Sequence, residues 1–206
     1  MKTEVLLRKL EGIQTIQSVS DTLKTNKERA AYYVYRLRKK GYVKTKRLSN
    51  NRRAYTISFE NKFGGTSYFE IINKYSPVKI ATPIIYKIYG REPSIEETLV
   101  YAIKTGSLRT ILAALALFKR INNWDELYGL GKQNHIERQI GALYDLAKEL
   151  MRVRKMSKRF LHNASPREDY EFHYTISGLK SKDFNHIENK WKIYLPFNKN
   201  DLEDYK

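Results

Sequence analysis

The chain has 206 residues, 41% of them hydrophobic, with no cysteine and a formal net charge of +17. That apolar share supplies packed cores and argues against global disorder, while the missing cysteine removes disulfides, thiolate metal sites and cysteine nucleophiles. The longest apolar run, residues 111–118, is far short of the roughly 20 residues of a membrane span, and residues 1–10 are charged and amphipathic without a signal-peptide pattern, so a cytoplasmic protein without membrane contact is expected.

Residues 3–10 place Val5, Leu6, Leu7 and Leu10 on one helical face, and Glu11-Gly12 ends that helix. Thr15 precedes a second short helix with Ile16, Val19 and Leu23 at helical spacing. Lys24-Thr25-Asn26 forms a tight polar connection, and Asn26 suits the N-cap of a third helix over residues 27–40. Ala30, Val34 and Leu37 lie inward at i, i+4, i+7, and Gly41 closes the helix. Residues 42–47 and 54–59 have strand character, the second with Tyr55, Ile57 and Phe59 alternating, and polar residues 48–53 suit a hairpin tip. No acid occurs between Glu28 and Glu60, whereas ten Lys or Arg do, the footprint of a polyanion ligand.

The run IQSVSDTLKTNKERAAYYVYRLRKKGYVKTKRLSNNRRAYTI resembles prokaryotic winged helix-turn-helix regulators, in which RLRKKGYV ends the recognition helix before the wing. With Ala30, Val34 and Leu37 inward, the outer face of the third helix presents Lys27, Arg29, Tyr32, Tyr33 and Arg36. A helix of this width enters the major groove, where Arg pairs with two acceptors on guanine. Asn26 and the first backbone N–H groups suit a phosphate. Lys46, Arg47, Asn50, Asn51, Arg52 and Arg53 form the wing, with Arg52 and Arg53 placed for a minor groove or its phosphates. Either Tyr32 or Tyr33 can instead pack against the first helix, Arg36 can be a solvated helix end, and Asn50-Asn51 suits turn chemistry.

Beyond a Gly64-Gly65 loop, residues 68–72 and 78–81 suggest short strands. Ser94-Ile95-Glu96-Glu97 is a capping box for a helix ended by Gly106, and Ser107 caps an almost wholly apolar helix through Phe118. A short helix over residues 124–131 follows, then a long one from His135 to about Lys158 carrying Ile136, Ile140, Leu143, Ala147 and Leu150. Residues 170–176 and 191–195 alternate like two strands joined by a charged loop.

The order PSIEETLVYAIKTGSLRTILAALALF, NNWDELYGLGKQ, ERQIGALYDLAKEL, NKWKIYLPF resembles the C-terminal domain of AbiEi-type antitoxins. The family's ERTLLD-like start reads Glu96-Glu97-Thr98-Leu99-Val100-Tyr101 here, without the second acid. The resemblance implies a winged helix that autorepresses its own operon and a C-terminal domain that neutralises a nucleotidyltransferase-like toxin.

Evidence for catalysis is weak. Gly129-Leu130-Gly131-Lys132 lacks the earlier glycine and the Ser/Thr of a phosphate loop and suits helix punctuation. Asp145 and Glu149, candidates for a nuclease-like cluster, have the i, i+4 spacing of a solvated helix face. His135, His162, His173 and His186 show no paired-ligand spacing, so no metal and no cofactor are expected. Arg152, Arg154, Lys155, Lys158 and Arg159 make a second basic patch, read either as cations at a helix C-terminus or as a second contact for DNA or an acidic partner.

The expected fold class is α+β and mostly helical: a winged helix-turn-helix over residues 1–60, then a mostly helical regulatory or interaction domain with a few short strands over 67–206. The expected function is a sequence-specific, non-enzymatic transcriptional regulator binding double-stranded DNA. A cognate toxin and a homodimer with recognition helices about 34 Å apart are the further expected partners. A non-specific architectural DNA binder and a nucleic-acid-processing enzyme are the alternatives.

Overall fold

The computed structural model describes residues 1–49, 52–59, 63–82, 87–89 and 91–205. It is an α+β chain that divides into two units, Met1–Ser67 with Ile85–Glu92, and Tyr68–Ile84 with Pro93–Lys206. The return of residues 85–92 to the first unit differs from the division expected near residues 60–67. Antiparallel pairing of Thr66 with Ile88 ties that segment in.

In the first unit, α1 (Thr3–Leu10), β1 (Gly12–Gln14), α2 (Ile16–Leu23), α3 (Lys27–Lys39), β2 (Val43–Arg47) and β3 (Arg53–Ile57) follow in order. The strands form an antiparallel sheet ordered β1-β3-β2, with Thr45 opposite Tyr55. β1 was not expected; three residues, two of them exposed, carry too little pattern to announce a strand. The core joins Leu6, Leu7, Leu10, Val19, Ala30, Val34 and Leu37 to Val43, Tyr55 and Ile57. Lys24 in the left-handed conformation ends α2, and Asn26 Oδ1 accepts the Arg29 N–H at 2.8 Å to start α3. The two helices are thus joined by a three-residue turn.

In the second unit, α4 (Tyr68–Tyr75) replaces the strand expected over 68–72. Tyr68, Ile71, Ile72 and Tyr75 recur at i, i+3, i+4, i+7, a helical stripe mistaken for a β-rich run. Residues 78–81 do not form a strand either. Their chain is held by Asn73, whose amide donates to Ile80 O at 2.8 Å and accepts from Ile80 N at 2.9 Å.

Next come α5 (Ile95–Lys104), opened by the Ser94–Glu97 capping box, and α6 (Leu108–Ala114), which passes into a 3-10 turn over Leu115–Lys119. Ile111, Ala113, Ala114, Leu115, Leu117 and Phe118 are all fully buried. α7 (Trp124–Gln133) runs through Gly129 and Gly131. Gly131 lies where a Cβ would meet Ile140 Cδ1 at 2.8 Å, so it serves packing between α7 and α8 (Glu137–Leu150).

The long helix expected to reach Lys158 stops at Leu150. Met151 is extended, and α9 (Lys158–Ala164) starts anew behind the Ser157 cap. The physical reason lies in the sequence 151–156: Met151 and Val153 pack inward while Arg152 and Arg154 stay exposed, a period of two that a helix cannot satisfy. Met156 N–H then donates to the Tyr144 hydroxyl at 3.0 Å.

The tail strands shrink to β4 (His173–Tyr174) and β5 (Ile193–Tyr194). They pair in parallel, with α10 (Asn185–Trp191) in the connection that parallel pairing requires. Buried carboxylates are spent on backbone donors: Glu96 accepts from Asn122 and Asn123 N–H, and Glu188 from Leu195 N–H. No helix among the described residues is long and apolar enough to cross a membrane.

The Tyr205 hydroxyl donates to Leu112 O at 2.7 Å, and burial pushes its pKa from 10.0 up to about 12, against a smaller downward pull from the Ser76 hydrogen bond. The folded state therefore favours the neutral phenol. Its contribution is complete below the ordinary value and is lost as pH rises through about 12. Tyr205→Phe is expected to cost about 1 kcal/mol at pH 8. The gap to wild type in urea midpoint should narrow as pH climbs above 10.0.

Candidate nucleic-acid interface

Lys27 and Arg29 stand exposed in the first turn of α3. Asn26, also exposed, has its side-chain oxygen committed to the cap, so any phosphate contact at this helix end falls to its amide and to neighbouring N–H groups. Tyr32 is 56% exposed and the Arg36 guanidinium lies 5.8 Å from its ring centroid, making one polar-aromatic cluster on the outer face.

Tyr33 is a correction. It is 8% exposed and belongs to the core with Ala30, Val34 and Leu37. The spacing explains it: residue 33 is i+3 from Ala30 and i−4 from Leu37, inside the buried stripe. Tyr35, by contrast, is 43% exposed and was overlooked. At 100° per residue it lies nearly opposite that stripe, a signal available in the sequence.

The β2–β3 hairpin leaves the core quickly. Val43 is buried, but Lys44, Thr45, Lys46 and Arg47 are all exposed, as are Arg52 and Arg53 on the returning strand. Leu48 N–H donates to Arg52 O at 2.8 Å and closes the tip. Asn50 and Asn51 lie outside the described residues. Arg47 pairs directly with Arg53 across the ladder. Placing like charges opposite each other disfavours the hairpin unless a polyanion screens them.

α2, α3 and the hairpin converge on a concavity of about 600 Å³ lined by Thr15, Ile16, Gln17, Lys27, Arg52, Arg53 and Tyr55. The Thr15–Ser18 capping box places the positive end of α2 at its wall, and no acid among the described residues lines it. Lys27, from α3, and the two hairpin arginines are therefore brought together around one space. Arg29, Tyr32, Arg36, Lys46 and Arg47 do not line it.

The second basic patch is built differently from expectation. Arg152, Arg154 and Lys155 occupy the extended stretch after α8, and Lys158 and Arg159 open α9 instead of closing a helix. The macrodipole thus gives Lys158 and Arg159 no support. Arg159 lies 3.6 Å from Asp125 in an exposed pair. Asp145 is engaged by Trp191 Nε1 at 2.7 Å and Lys190 Nζ at 2.6 Å, and Glu126 accepts from Ser94 Oγ. Among the described residues no group of three or more His, Cys, Asp or Glu is placed to hold a metal ion.

Compared with known proteins, the chain matches no family model, no curated protein and no solved structure.

Proposed function

We propose that the first unit is a winged helix-turn-helix that binds duplex DNA, and that the protein is a sequence-specific transcriptional regulator. The observation that carries this reading is the concavity that Lys27, Arg52 and Arg53 line together with no acid among the described residues, beside an α3 face bearing Arg29, Tyr32 and Arg36. In this reading Lys27 and the hairpin arginines hold phosphates, while Arg29, in the same first turn of α3, reads a base edge. The resemblance to AbiEi-type antitoxins extends the proposal to the second unit, as the surface that meets a nucleotidyltransferase-like toxin. A homodimer would set two α3 helices one DNA turn apart.

The test is a salt titration of binding to the protein's own upstream DNA and to a scrambled duplex, for wild type and Arg29→Ala. A regulator prefers its own DNA by on the order of 10³ or more, and Arg29→Ala erodes that preference by about 1–3 kcal/mol. Equal affinity for both duplexes, with a steep salt slope, would instead identify a non-specific binder.

A further inference from the structure

We propose that the second unit carries a docking edge for an acidic segment of a partner protein, which adds to residues 151–155 as an extended strand. That run leaves the end of α8 with Met151 at φ −156° and ψ 160°, an extended conformation. Met151 and Val153 pack against the core of the unit, while Arg152 and Arg154 alternate with them and stand exposed. Both ends of the run are fixed. Met151 N–H donates to Ala147 O at 2.9 Å, and Met156 N–H donates to the Tyr144 hydroxyl at 3.0 Å.

Between those anchors the backbone is uncommitted. Among the described residues, no hydrogen bond engages the N–H or C=O of Arg152, Val153, Arg154 or Lys155. Buried backbone groups are paired almost without exception, so four consecutive free residues place theirs at the surface. An exposed, extended run of unpaired donors and acceptors is a template for another strand, and peptides dock on such edges through main-chain hydrogen bonds.

Charge selects the strand that fits. Arg152, Arg154, Lys155 and Lys158 are exposed, and none of their side chains makes an ion pair or hydrogen bond among the described residues. Arg159 is engaged by Asp125 at 3.6 Å and is not counted with them. No acid occurs in the sequence between Glu149 and Glu168. Side chains alternate between the faces of a strand, so acids at every second position of an incoming segment would lie beside Arg152 and Arg154. A second copy of the same edge is disfavoured by the same rule, because it would set arginines against arginines. A nucleic-acid backbone would meet the cations but leave the C=O groups unmet, since a phosphodiester donates no hydrogen bond. The partner is defined by this chemistry alone, whether or not it is a toxin.

The experiment is fluorescence anisotropy of the full chain with a labelled, capped octapeptide of alternating glutamate and threonine. Binding is expected with Kd about 1 mM or tighter, at least ~10-fold tighter than that of the lysine–threonine counterpart. N-methylation of every peptide residue keeps the charge, removes the main-chain donors and should weaken binding about tenfold or more. Arg152→Glu with Arg154→Glu should abolish binding of the glutamate peptide and confer binding of the lysine peptide, an exchange that an unfolded variant could not produce. Lys27→Glu with Arg53→Glu, in the first unit, should leave the glutamate peptide unaffected, so this edge and the DNA-binding reading stand or fall separately. Four results would each overturn the proposal: no binding of the glutamate peptide, equal binding of its N-methylated form, indifference to the change at Arg152 and Arg154, or displacement of the peptide by a thymidine octanucleotide.

Discussion

Reversing two charges, Lys27→Glu together with Arg53→Glu, is expected to weaken duplex binding by about two to three orders of magnitude at moderate salt. Both side chains are exposed and line the same concavity, one from α3 and one from β3, so the change removes two cations from one space without touching the core. A hydrogen bond to a charged group contributes about 1.5–3 kcal/mol, so losing two such phosphate contacts already reaches this range before the new repulsion is added. The dependence of affinity on salt should also become shallower, by about two in the logarithmic slope. Fluorescence anisotropy at two salt concentrations measures both quantities. The same reversal at Arg154 and Lys155, in the second unit, should alter affinity little, because neither belongs to the proposed contact and salt screens exposed charges. A comparable loss from that pair would move the DNA contact to the second unit.

The second large effect is on stability. Gly141→Ala should lower the melting temperature by roughly 6–12 °C, the equivalent of about 3 kcal/mol for a protein of this size. A Cβ at position 141 would lie 2.4 Å from Trp191 Cη2 and Cζ3, and Trp191 is fully buried. The indole cannot swing aside cheaply, because its N–H donates to Asp145 Oδ2 at 2.7 Å and α10 carries it against α8. In an exposed helix interior the same substitution would stabilise by about 1 kcal/mol, since alanine is the better helix former. The sign of the change is therefore diagnostic. A raised melting temperature would mean that α8 and α10 separate without cost.

Long helical stripes and capping signals were the parts of this fold most legible in the sequence. Ser94 and Glu97 form the expected box, Ser107 and Asn26 cap where their side chains predicted, and the apolar run 111–118 is buried except for half-buried Leu112. Elements whose pattern is short or mixed were harder to read. β1 has no alternation to detect, and the stripe of α4 was hidden in a run of β-favouring residues. The end of α8 was legible in principle, since apolar and basic residues alternate from Met151 to Arg154. A continuing helical pattern upstream masked it. Within the candidate interface, the exposed cations followed from charge counting and helix phase, whereas Tyr33 was set on the outer face and Tyr35 was passed over, because only three inner positions were used to set that phase. The convergence of Lys27 with Arg52 and Arg53, and the seat of Tyr89 against Gly41 and Gly65, depend on tertiary contacts between distant segments. No local pattern encodes them.

Amide hydrogen exchange of the full chain, with and without its own upstream duplex, locates the DNA contact most directly. Protection is predicted in peptides spanning residues 15–29 and 44–55, with residues 151–163 unchanged. Protection confined to 151–163, or confirmed DNA binding with no protection at α2, α3 and the hairpin, would contradict the account.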